Sequence, residues 1–245
     1  MAVVIAERFG YDRNMDAEPS MALMGAMIGA PARAAMLALL FDGRALTATE
    51  LTLAANVSPA TASEHLAKLT AAGLVTCEKH GRHRYYRIAS SEVADALEPL
   101  ALLGSARPTP IRAPTLADRA FREARLCYDH FAGTLGVRTT AAMVERNFIV
   151  PRDRDYDLTG HGEAFCSEIG IDVERVRSKR RMFARQCLDW SERVPHLAGA
   201  LGAAIANHAF EANWIERTNR RREIRVTETG RAELAKHFGF VPSQL

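Results

Sequence analysis

Apolar positions recur at helical spacing from residue 21 onward. "SMALMGAMIGA" places Met21, Met24 and Ile28 on one face, and "PARAAMLALLFDG" opens on proline and closes on glycine, so two helices are predicted in succession. "TATELTLAANV" begins a third, with Thr47 as N-cap and Glu50 three residues on, the spacing of a capping box. A short turn leads to a fourth, "SPATASEHLAKLTAAG", capped by Ser58, started by Pro59 and stopped by Gly73. Two short helices about a tight turn predict a helix-turn-helix. The period then changes: "LVTCEKHGRHRYYRIA" reads as two strand segments around Gly81. Helical spacing returns in "SSEVADALEPLALLG", where Val93, Leu97 and Leu100 form a stripe.

Downstream, "GSARPTPIRAPT" carries three prolines and neither a helical nor an alternating pattern. The expected organisation is a polar N-terminal tail over 1–19, a helix-turn-helix domain over 20–104, a Pro-rich linker over 105–115 and a second domain over 116–245. That second domain repeats itself. Arg125, Cys127 and Asp129 stand at alternate positions, as do Arg185, Cys187 and Asp189, and a His-x-Ala-Gly-x-Leu-Gly string follows from His130 and again from His196. "SERVPH" is an insertion in the second copy, and "YDLTGHGEAF" is answered by "IRVTETGRAEL". A duplicated unit of about fifty residues is predicted. Each copy reads as helix, second helix, short strand or hairpin, and a helix opened by Thr-x-x-Gly. The fold class expected is mainly α with small β-hairpins: an N-terminal winged helix-turn-helix and a duplicated, mostly helical C-terminal domain with winged-helix-like hairpins.

Composition narrows the class without naming a partner. With 245 residues, 48% of them hydrophobic and 25% charged, the chain has material for two modest cores. A net charge of +3 is too mild to specify a partner, so the position of the basic residues matters more. They cluster at the Gly81 hairpin, where Lys79, Arg82, Arg84 and Arg87 face a single acid, Glu78. A second basic hairpin is predicted in "NWIERTNRRREIRVT", with Asn219 near the turn and Arg217, Arg220, Arg221, Arg222 and Arg225 around it. Two readings stand there: a second wing reaching phosphates, or a solvated loop paired with Glu216, Glu223 and Glu228. No apolar run approaches the roughly 18 to 20 residues that cross a bilayer, and no signal-peptide order is present, so a cytoplasmic protein without membrane contact is expected. The four cysteines, Cys77, Cys127, Cys166 and Cys187, are widely spaced and expected to be reduced thiols.

"ELTLAANVSPATASEHLAKLTAAGLV", then "RYYRI", then "SSEVADALEPLALLG" resemble the winged helix of the ArsR/SmtB family of bacterial repressors. The resemblance covers residues 21 to about 104, and the whole chain is similar to a group of longer ArsR-type regulators. It implies a homodimer on double-stranded DNA with a palindromic operator, its first and last helices forming the dimer interface. A recognition helix meets the major groove with its N-terminal side chains, which makes Ser58, Thr61, Ser63, His65 and Lys68 the candidates for DNA contact. Lys79, Arg82 and Arg84 of the wing are candidates for phosphate or the minor groove. Family members that sense metals carry Cys-x-Cys on the helix before the recognition helix, or Asp/His ligands on the last dimer helix. Here the first position offers Thr52 and Ala54 and the closing helix has neither histidine nor cysteine, so any sensing is expected in the C-terminal domain.

There the candidates for an effector or metal are Cys127, His130, Cys187 and His196. Approximate twofold symmetry brings equivalent helices together, and two thiols with two imidazoles suit zinc, copper(I) or a thiophilic metalloid. Two neighbouring thiols also suit a redox switch. The third reading is structural packing beside a small organic effector pocket, with Asp129 and Asp189 bridging Arg125 and Arg185. An enzyme with Cys127 as nucleophile and His130 as base, three residues on along a helix, is the remaining class. Against it, the sequence has no nucleotide-binding glycine loop, no HExxH and no nucleophile elbow, and a non-enzymatic regulator is expected.

Overall fold

The computed structural model of the chain describes residues 21–41, 43–81, 83–104 and 115–242. The predicted tail, and all of the predicted linker but Thr115, lie outside the described residues. Of the described residues, about 53% are in helices and 21% in strands. It divides into two compact units, one ending at Pro99 and one beginning at Leu100, so the division falls inside a helix rather than in the proline-rich stretch.

The first unit runs α1 (Met21–Ile28), α2 (Pro31–Leu40), β1 (Leu46–Thr47), α3 (Ala48–Ala55), α4 (Pro59–Ala71), β2 (Val75–His80) and β3 (His83–Ile88), and then into α5 (Ser91–Gly104). The start signals act as written. The Thr47 hydroxyl accepts from the Glu50 amide while Glu50 reaches back to the Thr47 amide, and the Ser58 hydroxyl accepts from the Thr61 amide. Asn56, in the left-handed region at φ 51, turns the chain from α3 into α4. Ala62, Leu66 and Leu69 are the buried residues of α4, and Met36, Leu40 and Leu51 are buried on the two helices it packs against. The antiparallel sheet has the order β1-β3-β2, with Leu46 opposite Tyr86 and Val75 opposite Ile88. Three helices plus a hairpin pinned by its base to the core make a winged helix.

The second unit begins with α6 (Leu116–Glu123), capped by Thr115 and Asp118. Then come the hairpin β4 (Arg125–Cys127) and β5 (His130–Ala132), α7 (Gly133–Glu145), the hairpin β6 (Ile149–Arg152) and β7 (Asp155–Leu158), α8 (Gly160–Glu168) and α9 (Val173–Arg177). A second round follows: β8 (Arg185–Leu188) and β9 (Pro195–Ala198), α10 (Gly199–Glu211), β10 (Ile215–Arg217) and β11 (Ile224–Val226), and α11 (Glu228–Phe238). The first helix expected in each round is therefore a hairpin. Three- and four-residue strands are too short to show an alternating pattern, and the Ala/Gly/Leu composition around them mimics a helix. Gly133 and Gly199, at φ 73 and 82, turn each hairpin into its 13-residue helix through a conformation that L side chains rarely adopt.

The rounds are interlocked. Asp155 of β7 pairs with Arg185 of β8, giving a sheet of order β6-β7-β8-β9, while Arg125 of β4 bridges Glu223 and Leu126 takes the Arg222 carbonyl at 2.7 Å. Each Cys/His hairpin is thus extended by the downstream hairpin of the other round. Leu135, Met143, Ile149, Phe165, Leu201, Ile205 and Trp214, from both rounds, belong to one hydrophobic core. No single helix among the described residues is long and apolar enough to cross a membrane.

Candidate functional site

On the first unit, burying Ala62, Leu66 and Leu69 leaves the opposite side of α4 to solvent, with Ser63 and Lys68 exposed and Thr61 half-buried. Not every predicted contact is equally available. The Ser58 and Thr61 hydroxyls lie 2.8 Å apart and serve the cap, and Lys68 pairs with Glu64 at 2.6 Å. His65 is drawn inward: its Nδ1 is 3.2 Å from Nη1 of Arg33, a buried arginine that also donates to the carbonyls of Met27 and Ala26. Sequence spacing put His65 on the exposed side but carried no sign of this arginine, thirty-two residues upstream. In the wing, Lys79 and Arg84 are exposed and directly opposite each other across the ladder, while Arg87 pairs with Glu78 at 2.6 Å. Like charges opposed across a ladder repel, and a bound anion relieves that. Arg82 lies outside the described residues.

The second site forms where the two Cys/His hairpins meet. In β4–β5, Cys127 is directly opposite His130; in β8–β9, Cys187 is directly opposite His196. Tyr128, at φ 57, turns the first hairpin, so the pair expected on one helical face is instead a cross-strand pair. The two Sγ atoms are 3.8 Å apart, the two imidazole centroids 5.1 Å apart, and one donor atom from each residue lies within 4.8 Å of all the others. All four side chains are buried, with Ala132 and Ala198 packed against the thiols. The Cys187 thiol is held below its ordinary range, first by the Cys127 hydrogen bond, with burial opposing and His130 and His196 adding to the effect. Burial pushes His196 down, with the Cys187 sulfur pulling the other way.

A shell of ion pairs stands behind the histidines. Asp129 Oδ1 is 3.4 Å from His130 Nδ1, and Arg181 Nη1 donates to Asp129 Oδ2 at 2.6 Å. Burial works against the Asp129 charge, yet His130 and Arg181 outweigh it and keep the carboxyl below the usual range. Asp189 Oδ2 is 3.6 Å from His196 Nδ1, and Arg125 Nη2 donates to both Asp189 oxygens at 2.7 and 2.8 Å. The amides of Gly133, Ser191 and Glu192 also donate to Asp189, and together these hold it at about 2 against the opposing effect of burial. The partners expected for the two aspartates were Arg125 and Arg185. Asp189 takes Arg125, from the other hairpin, but Asp129 takes Arg181, which has no counterpart in the repeat and was not legible from it.

The basic hairpin β10–β11 spends its arginines within the unit. Arg225 pairs with Glu216, Arg220 pairs with Asp118 at 3.4 Å and donates to the Ala117 carbonyl, and Arg222 donates to the Leu126 carbonyl at 2.9 Å. Arg217 lies over the ring of Phe210. Cys127, the candidate nucleophile, is 2% exposed, so a substrate has no open approach to it.

Residues 28–78 match the family model described as "Helix-turn-helix domain". Over 220 residues the chain is 42% identical to a Bacillus subtilis (strain 168) protein named "Uncharacterized HTH-type transcriptional regulator YdfF", covering 90% of this chain and 97% of that one. A match of that length takes in most of the second unit as well as the first. Among solved structures, reduced HlyU from Vibrio cholerae N16961 is 30% identical with a TM-score of 0.31, covering 33% of this chain and 84% of that chain. The cadmium metal-sensor CMTR from Mycobacterium tuberculosis is 28% identical with a TM-score of 0.31, covering 40% of this chain and 99% of that chain. The near-complete relative and the matched helix-turn-helix residues give the family: the chain belongs to the HTH-type transcriptional regulators, and its first unit resembles the ArsR winged helix.

Proposed function

We propose that the protein is a homodimeric repressor that binds a palindromic operator through residues 20–104, its affinity controlled by an effector held in residues 116–245. Ser63 and Lys68 on the exposed side of α4 read the major groove, with Ser58, Thr61 and His65 setting the start and seat of that helix. Lys79, Arg82 and Arg84 hold phosphate. The second unit is a duplication whose copies each supply one Cys/His hairpin, and Cys127, His130, Cys187 and His196 are the effector site. The single observation that carries this reading is the convergence of those four side chains, from two separate hairpins, into one buried cluster. A regulator that needed only a dimeric winged helix would gain nothing from it.

Dimerisation rests on the first helix. α1 buries none of its residues, and Met21 and Leu23 are 82% and 51% exposed, an apolar surface that a second copy would cover. Leu97, by contrast, is spent in the chain's own core. One recognition helix reads too few base pairs alone, and a twofold pair reads a palindrome. The test is a fluorescence-anisotropy titration of the full chain on the DNA upstream of its own gene against scrambled duplex at fixed salt. Tighter binding to the upstream DNA by at least the ~10³-fold typical of specific recognition supports the reading. Equal binding to both duplexes overturns it.

A further inference from the structure

We propose that Cys127, His130, Cys187 and His196 form a four-coordinate site for a divalent d10 cation of the zinc class, with both imidazoles ligating through Nε2. The inference rests on the effector-site reading and names the chemistry of that site.

Three observations carry it. The first is the fit of the donors. Two thiolates each about 2.3 Å from a tetrahedral zinc ion lie about 3.8 Å apart, and the Sγ atoms here are 3.8 Å apart. The other donors lie within 4.8 Å of them and of each other, close enough to reach tetrahedral spacing by small side-chain shifts. The second is the direction of the rings. His130 turns Nδ1 to Asp129, and His196 turns Nδ1 to Asp189. A ligating histidine characteristically gives its other nitrogen to a carboxylate, which fixes tautomer and orientation, and here the arrangement occurs twice. The third is that both rings also reach a thiol: Cys187 is in hydrogen-bond contact with His130 and with His196, the latter 1% exposed. A metal at Nε2 would replace those contacts, with Asp189 drawn in at Nδ1 of His196.

Charge selects the ion. Asp129 with Arg181 and Asp189 with Arg125 are each neutral pairs, so they contribute no net charge. Two thiolates and two neutral imidazoles add a charge of minus two, which a divalent ion cancels in full and copper(I) leaves half unmet. Buried charge is tolerated only when compensated. Thiolate and imidazole together favour zinc over the oxygen-seeking divalent ions. Binding displaces the two thiol protons to solvent and forms two metal–sulfur and two metal–nitrogen bonds with no change of oxidation state. The ion joins β4–β5 to β8–β9, hairpins from the two rounds of the unit, and so links them as a crosslink would.

The test uses full-length protein freed of metal by a chelator under reducing conditions and titrated with Co2+ and then Zn2+. One ion per chain is expected, with cobalt giving a thiolate charge-transfer band and the intense visible bands of a tetrahedral site, both displaced by zinc. Cys127→Ser and Cys187→Ser should each abolish the charge-transfer pattern of two thiolates. Asp129→Asn should keep stoichiometry and spectrum while weakening affinity by about 10- to 100-fold, as expected of a positioning residue. Octahedral cobalt bands, a thiolate band unaffected by both serine variants, or no binding by reduced protein whose far-UV circular dichroism is intact would overturn the site. Anisotropy on operator DNA separates the two claims: stoichiometric tetrahedral binding with unchanged operator affinity keeps the metal site and removes the regulatory reading. Loss of operator affinity triggered only by oxidation or by an organic ligand, in protein that binds no ion, removes the metal and keeps the regulation.

Discussion

Gly162→Ala should destabilise the second unit, whereas Gly160→Ala, two residues earlier in the same helix, should not. Alanine in place of a helical glycine ordinarily stabilises by about 1 kcal/mol. At Gly160 nothing lies within 4 Å of an added Cβ, so a neutral to slightly stabilising change is expected. At Gly162 the added carbon would fall 2.9 Å from the Phe148 carbonyl carbon and closer still to its oxygen, and 2.5 Å from Leu158 Cδ1. The leucine tip can move but the carbonyl is pinned, since it accepts from the Thr159 amide at 3.0 Å and from the Thr159 hydroxyl at 3.2 Å. Overpacking costs about 1–3 kcal/mol, and each hydrogen bond strained by moving the carbonyl adds up to about 1 kcal/mol. Set against the roughly 1 kcal/mol that alanine gains in a helix, the net expectation is a loss of up to about 4 kcal/mol, opposite in sign to the neighbouring glycine. Both tryptophans, Trp190 and Trp214, lie in the second unit, so urea unfolding followed by their fluorescence reports this unit alone. Gly230 meets the Trp214 carbonyl in the same way in the second round, and Gly230→Ala should behave like Gly162→Ala. Equal midpoints for the Gly160 and Gly162 variants would refute the close-approach reasoning.

Asp189→Asn should cost about 3–5 kcal/mol in the same assay, because it leaves Arg125, 0% exposed, as an uncompensated buried charge; a loss below about 1 kcal/mol would contradict that burial. Lys79→Ala with Arg84→Ala should weaken all duplexes alike and lower the salt slope of binding by about 2, one for each phosphate contact removed, as read by anisotropy at several salt concentrations. Met21→Glu with Leu23→Glu should shift the full chain from dimer to monomer in sedimentation, and an unchanged dimer would move the interface elsewhere. In native, metal-loaded protein, a maleimide should label Cys77, which is exposed, and spare Cys166, which is buried and whose thiol is pushed up to about 11 by that burial; labelling followed by peptide mapping checks this.

The winged helix was legible because its signals are local. Thr47 with Glu50, Ser58 with Pro59, and the turn at Gly81 each fix a boundary within four residues, and the apolar spacing of Ala62, Leu66 and Leu69 fixes which side of α4 is buried. The Cys/His strands were legible only as a repeat. Periodicity cannot distinguish three residues of strand from a turn of helix, so Cys127 and His130 were expected on one helical face rather than across a hairpin. The proximity of their side chains to Cys187 and His196 followed from the assumed symmetry, not from local pattern. The interlocking of the rounds, β4 beside the Glu223 strand end and β7 beside β8, is non-local and leaves no trace in either segment alone. For the same reason Arg33 at His65 and Arg181 at Asp129 were unforeseen: each partner lies 32 to 52 residues away with no pattern to mark it.

The central claim is that the buried Cys/His cluster of the second unit controls DNA binding by the first. The most direct measurement is the affinity of full-length, reduced protein for the DNA upstream of its own gene, metal-free and zinc-saturated, for the wild type and for Cys127→Ser with Cys187→Ser. Coupling between two sites of a regulator is typically about 1–3 kcal/mol, so wild-type affinity should differ by about 5- to 150-fold between the two conditions while the double variant binds equally in both. Wild-type affinity that is the same with and without zinc, or a zinc response that survives in the double variant, would contradict the account.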